Sequence, residues 1–289
     1  MSCTNTNSPI NIDTTNYKGL CDYKCELYFS YNSSSCLATN KGDYISIKYD
    51  NISSTQVTYN TNNFNVTEIR IYSPSLHKYN NIQYSGEFVI IHSSSTSTKQ
   101  LLICIPIINS EIINLPSANI NTIVETMSQS APSKDNSTTV SLVSFNLNHF
   151  VPYKPFYTYT ANTPYQPCST IVDIIVFDNS SSQLYISNDN LTKLNKIIQQ
   201  HQYIIQNNNE YFYNNKGPTN NSGDNIYIDC QPVDNSEDSI YVSTDSSYSA
   251  TASKSIDMKD KIKYIILIGI IILPLPFIYY LFKKKKNKI

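Results

Sequence analysis

Tryptophan is absent from this chain of 289 residues, and glycine (6), methionine (3) and histidine (4) are sparse. The aromatic bulk comes instead from 24 tyrosines. Together with abundant Asn, Ser and Ile, this composition favours β structure joined by long polar loops. No Cys-x-x-Cys pair and no His/Cys cluster occurs, which excludes a zinc-knuckle module. No internal repeat is present. The opening, M-S-C-T-N-T-N-S-P-I-N-I-D-T, has neither a basic nor an apolar region, so no secretory signal peptide is expected.

Acidic residues are missing beyond residue 260, and this conceals a charge asymmetry behind the net charge of −1. Lys261, Lys263, Lys283, Lys284, Lys285, Lys286 and Lys288 are basic residues of the last segment. The preceding part therefore carries 14 basic against 22 acidic residues, a balance of −8. A domain so acidic is not a nucleic-acid binder.

Long hydrophobic runs are likewise absent, with one exception. Tyr264 to Phe282 (Y-I-I-L-I-G-I-I-I-L-P-L-P-F-I-Y-Y-L-F) is uncharged and flanked by lysines. At about 1.5 Å per residue it reaches roughly 28 Å, the thickness of a bilayer core. Residues 261–282 are thus expected to anchor the chain in a membrane, with 283–289 as a basic tail. Pro274 and Pro276 are tolerated in such a helix. Residues 232–260 are poor in apolar residues and rich in Ser, Asp and Thr, and read as a flexible stalk. Residues 1–231 form the globular domain, large enough to bury a core.

Within that domain the apolar patterning is mainly that of strands. They are expected at Glu26–Tyr31, Tyr44–Tyr49, Gln56–Tyr59, Glu68–Tyr72, Glu87–His92, Leu101–Ile107, Val140–Val143 and Ile171–Phe177. Phe88–Ile91 and Leu101–Ile107 are nearly continuous apolar runs, suited to a sheet buried on both faces. Two short helices are expected. Asn119–Met127 places Ile120, Ile123 and Val124 on one side, and Asn188–Gln200 opens with Asn188 or Asp189 as its cap. Among the seven cysteines, Cys104 lies inside L-L-I-C-I-P-I and reads as a buried free thiol.

Four ordered blocks carry a family resemblance. They are S-P-I-N-I-D from Ser8; N-K-G-D-Y-I-S-I from Asn40; E-I-R-I-Y, S-L-H and Y-S-G-E-F-V-I-I-H between Glu68 and His92; and Y-T-Y with N-T-P-Y-Q-P-C-S between Tyr157 and Ser169, followed by Leu191–Leu194. In their order and spacing over residues 8–230 they resemble the α-carbonic anhydrases. The resemblance implies a mainly β domain with a large central twisted mixed sheet and small surface helices.

It also implies where a catalytic zinc would sit, and the residues there are not ligands. The first two histidine positions hold Arg70 and Tyr72, and the third holds Val89. A catalytic zinc needs three protein ligands and an open position for water, whose ionisation starts the reaction. Arg70 would in addition repel a dication. The family's proton-shuttle position holds Asp43, the glutamate of S-E-H is Leu76, and the hydroxide-orienting threonine falls near Pro164. Glu87, His77 and His92 remain as structural positions. The expectation is a protein that is not an enzyme and uses no metal or other cofactor.

The organisation as a whole resembles the poxviral cell-surface-binding proteins, carbonic-anhydrase-like components of the virion membrane. That resemblance implies a domain on the virion surface that binds sulfated glycosaminoglycan, chiefly chondroitin sulfate, and attaches the particle to host cells. Lys41, Lys48, Arg70 and Lys78 are the candidate glycan ligands. Because the domain's balance of −8 opposes sulfate, a protein receptor stands as the alternative. The family also implies a Cys3–Cys168 bridge; a small loop closed between Cys36 and either Cys21 or Cys25 is a separate expectation. Cys230 is the candidate for an interchain disulfide and a linked homo-oligomer. Seven Asn-x-Ser/Thr sequons occur, at Asn32, Asn51, Asn65, Asn136, Asn179, Asn190 and Asn220. The lysine tail favours the cytosolic side, whereas late insertion by a C-terminal span leaves the domain there instead. The second consideration is given precedence, and the sequons are expected to be unglycosylated.

Overall fold

The computed structural model describes residues 7–22, 24–50, 55–200 and 203–219. All belong to the first of two units into which the chain divides, Met1–Ile226 and Tyr227–Ile289. The expected stalk, span and tail lie outside the described residues. Among the described residues no helix is long and apolar enough to cross a membrane.

The first strands are β1 (Asn11–Ile12), β2 (Gly19–Leu20), β3 (Leu27–Phe29), β4 (Leu37–Asn40), β5 (Ile45–Lys48) and β6 (Val57–Tyr59). They are followed by β7 (Asn62–Tyr72), β8 (Lys78–Tyr79), β9 (Ile82–Gln83), β10 (Gly86–Ser94) and β11 (Gln100–Asn109). After helix α1 (Leu115–Ser130) come β12 (Ser137–Thr139), β13 (Phe156–Asn162), β14 (Ile171–Val176), β15 (Leu184–Ile186), helix α2 (Asn188–Ile197) and β16 (Phe212–Asn214). The main path of the large sheet runs β12-β4-β5-β7-β10-β11-β14-β13-β16-β2, while β1, β8 and β9 form a separate small sheet. The large sheet is mixed: β11–β14 and β16–β2 are parallel, and β7–β10–β11 are antiparallel.

The central strands read as continuous apolar runs because both sheet faces are covered. One face collects Ile69, Ile71, Phe88, Ile90, Ile103 and Ile105, over which α1 lays Ile120, Ile123, Val124 and Met127. The opposite face collects Tyr72, Val89, Ile91, Leu102 and Cys104 from the same strands. That second face is built largely of tyrosine. Tyr79, Tyr157, Tyr159, Tyr165 and Tyr211 are buried in it, and Tyr17, Tyr44, Tyr84, Tyr203 and Tyr213 pack at its margin.

Asparagine does much of the turn work that scarce glycine leaves undone. Asn60 and Thr61 between β6 and β7, and Asn80 and Asn81 between β8 and β9, all have positive φ. These are the two-residue turns that match strand twist. Glycine is required at Gly86, where an added Cβ would lie 2.6 Å from the Tyr72 carbonyl oxygen. The two ends of the described chain are stitched together. Asn11 N donates to Gln206 O, Lys18 N to Tyr211 O and Cys21 N to Tyr213 O, each at 2.9 Å.

Several expectations are corrected. Val140–Val143 is not a strand: Val140 is buried and Val143 is 99% exposed, and the local strand is β12 just before them. Helix α1 begins earlier than expected, because Asn114 caps it through Ser117 N and Pro116 occupies the first turn, where no amide donor is needed. Ser187, rather than Asn188 or Asp189, caps α2. Cys21 pairs with Cys25, while Cys36 is free and buried, so the expected closure on Cys36 does not form. Cys104 is free and buried as expected. Cys168 is disulfide-bonded; Cys3 and Cys230 lie outside the described residues.

Candidate functional site

Strand alternation puts Arg70 and Tyr72 on the tyrosine face, and the antiparallel register sets Val89 directly opposite Arg70. The three positions that the resemblance assigns to zinc ligands are therefore neighbours on one surface. Val89 and Tyr72 are fully buried. The Arg70 side chain is only 12% exposed.

The Arg70 guanidinium is engaged through all three of its nitrogens and by two aromatic rings. Nε and Nη2 both donate to Glu68 Oε2, at 2.9 and 2.7 Å, and Nη1 donates to the Tyr72 hydroxyl at 3.2 Å. The ring centroids of Tyr165 and Tyr44 lie 4.1 and 4.5 Å from Cζ. Glu68 also accepts from Ser46 Oγ at 2.6 Å. Burial opposes the arginine charge, but the oxygens of Tyr72 and Tyr165 and the Glu68 carboxylate outweigh it and raise the pKa. Burial likewise pushes Tyr203, against Tyr72, up to about 12. A guanidinium, an engaged phenol and a hydrocarbon side chain do not fit zinc.

Tyr165 belongs to the loop between β13 and β14. Thr163 shapes this loop by donating from Oγ1 to the carbonyls of Tyr165 (2.9 Å) and Pro167 (2.7 Å). The buried Tyr165 hydroxyl has no hydrogen-bond partner among the described residues.

A second polar knot lies on the same face. His77 Nδ1 donates to Glu87 Oε1 at 2.6 Å, and His77 N donates to Oε2 at 2.9 Å. The Tyr159 hydroxyl is 2.7 Å from His77 Nε2. Glu87, His77 and Cys104 are all buried, with ligand-type atoms within 4.8 Å of one another. Burial pushes the Glu87 carboxyl up, but His77 and the backbone amides of His77 and Leu76 pull it below the usual range. Burial and the Glu87 carboxylate keep the Cys104 thiol strongly protonated. Both nitrogens of His77 are already engaged, so this knot fastens the segment before β8 to the sheet.

His92 lies on β10 away from these groups. Its Nδ1 donates to Leu101 O (3.1 Å), so Nε2 accepts from the Tyr31 hydroxyl (3.0 Å). Burial lowers its pKa to about 4.

The four candidate glycan ligands differ in their settings. Arg70 is enclosed as described. Lys41 pairs with the exposed Asp135 at 3.4 Å. Lys48 is exposed at the end of β5, and Lys78 is half-buried in the separate small sheet. Sequence reasoning missed Glu68 as the partner of Arg70, although Glu-x-Arg on a strand puts both on one face. It also missed Tyr44 and Tyr165, which lie within two of the family blocks but reach Arg70 only through the fold.

Residues 2–221 match the eukaryotic-type carbonic anhydrase family, and the chain belongs to that family. Among solved structures it is similar to dioscorin complexed with ascorbate, with a TM-score of 0.61 and 16% identity over 73% of this chain and 86% of the other. The α-carbonic anhydrase of Photobacterium profundum gives a TM-score of 0.59 and 17% identity over 72% and 88%. Carbonic anhydrase Cah3 of Chlamydomonas reinhardtii, in complex with acetazolamide, gives 0.58 and 17% over 72% and 90%. At such identities these likenesses speak for the fold. No curated protein matches the chain significantly.

Proposed function

We propose that this is a non-catalytic carbonic-anhydrase-like domain that attaches a poxviral particle to host cells by binding sulfated glycosaminoglycan, chondroitin sulfate foremost. The observation that carries the loss of catalysis is Arg70. At the first zinc-ligand position stands a permanent cation, locked to Glu68 and held between two tyrosines. Tyr72 and Val89 at the other two positions support the same reading. The attachment role rests on the resemblance of the whole chain's organisation: a domain, a polar stalk, an apolar span and a lysine tail. In this reading the domain faces outward from the virion membrane.

A second reading, a protein receptor, draws support from the balance of −8 before residue 261. One experiment separates the two. The full chain, in detergent, is assayed for bound zinc and for binding to immobilised chondroitin and heparan sulfates across a salt series. The glycan reading expects no stoichiometric zinc and binding that weakens steeply as salt rises. Stoichiometric zinc with CO₂ hydration would end the non-catalytic reading. Absence of glycan binding at low salt would transfer the attachment role to a protein receptor.

A further inference from the structure

On the opposite side of the sheet from Arg70, the chain builds a groove of about 400 Å³ between the start of α1 and residues 148–154. Its base is fixed. Asn146 caps the short turn Leu147–His149, and Asn148 binds both backbone groups of Tyr31, accepting from Tyr31 N (2.9 Å) and donating to Tyr31 O (2.7 Å). Phe150 is buried beneath, stacked on Phe88 at 4.8 Å. The chain then surfaces at Tyr153, which is half exposed and leans on Phe29 with centroids 4.8 Å apart. The backbone of Lys154 is held under Gly217, where an added Cβ would come within 2.7 Å of Lys154 O and φ is +73°.

The lining contains Lys154 and His149 and no carboxylate. The groove combines a cation, a rigid exposed ring and the Gln183 side on its far wall. Its volume is within the range of small-ligand sites. We propose that this groove is the subsite for one sulfated or carboxylated sugar unit, the Tyr153 ring lying against the sugar's CH face and Lys154 pairing with the anionic group. The inference rests on the glycan reading above and relocates its ligands, because Lys41, Lys48, Arg70 and Lys78 do not line the groove.

The test uses the full chain in detergent, size-defined chondroitin sulfate oligosaccharides and unsulfated chondroitin as the control. Lys154→Ala and Tyr153→Ala are each expected to weaken binding about tenfold, with Tyr153→Phe retaining it and Lys41→Ala and Lys78→Ala changing it little. Thermal melting confirms that each variant folds. Wild-type binding that persists unchanged in Lys154→Ala and Tyr153→Ala overturns the groove and leaves the glycan reading standing. Absence of wild-type binding to any of these sugars at low salt overturns both.

Discussion

Glu68 and Arg70 stand two residues apart on β7, face the same way and form an ion pair of 2.7 Å beneath two tyrosine rings. The pair is enclosed, so its worth comes from geometry rather than from charge alone. Ser46 donates to the other Glu68 oxygen, and the Tyr72 hydroxyl accepts from Arg70 Nη1. Such a pair stabilises little relative to a well-packed apolar substitute, but losing one member strands the other.

Replacing Arg70 with Met is therefore expected to cost about 2–4 kcal/mol, from an unpaired Glu68 and two lost ring contacts. Urea denaturation measures this. Arg70→Lys is expected to recover only part of it, because an ammonium cannot make the forked contact or stack flat. The double variant Glu68→Leu/Arg70→Met is expected to be more stable than Arg70→Met alone. If it is not, the cost lies in packing rather than in the stranded charge.

Stability is expected to fall as the solution is acidified from neutrality. His92 has a folded pKa of about 4, whereas the unfolded ring titrates near 6.5. Between these values the unfolded chain binds the extra proton, so stability is lost as pH drops, by up to about 1.4 kcal/mol per unit and of the order of 3 kcal/mol in all. Glu87 acts in the same direction at lower pH. Its folded carboxyl sits below its ordinary value, so the unfolded form protonates first and folding weakens as pH falls through that range. Urea midpoints between neutral and mildly acidic pH should show the slope, and His92→Gln should flatten its upper part even though it lowers stability at neutrality.

Cys36 and Cys104 should be inert to thiol reagents in the native protein. Both are buried; burial raises Cys36 to about 12, and burial with the neighbouring Glu87 raises Cys104 well above the usual thiol range. The thiolate is the reactive form, so both exposure and ionisation work against labelling. Peptide mapping after alkylation should find these two positions unmodified until denaturant is added. Native-state labelling of Cys104 would mean that the face carrying Glu87 opens on its own.

What the sequence revealed follows from how strongly each element is buried. β10 and β11 were legible because both faces are covered, leaving apolar runs with few interruptions. β13 is hard to read from the pattern: its tyrosines and threonines suit a strand, but it shows neither an unbroken apolar run nor a clean alternation, since polar Thr158 is buried with its neighbours. The Thr158 hydroxyl meets the Tyr59 hydroxyl, from a strand far away in sequence, at 2.8 Å. The apolar pair at Val140 and Val143 suggested a strand, yet only Val140 points inward. The family blocks located Arg70, Tyr72 and Val89 together, and the register makes them neighbours. The blocks could not indicate that Arg70 is enclosed rather than lining a basic groove, since two of its partners come from separate loops. The groove beside Lys154 had no signature either: its aromatic, cation and glycine clamp come from residues 153, 154 and 217.

The stitching of residues 11–21 to residues 206–213 sets the order in which this domain can be completed. The small parallel pairing of β2 with β16, and the bonds from Asn11 and Lys18, join segments almost two hundred residues apart. On a ribosome, the first strands must wait until the last has emerged before they find their partners. Contacts of such sequence separation make folding slow. A chain cut before Phe212 would also leave Phe156–Thr158 on the edge of β13 unpaired, the kind of open strand that joins other chains instead.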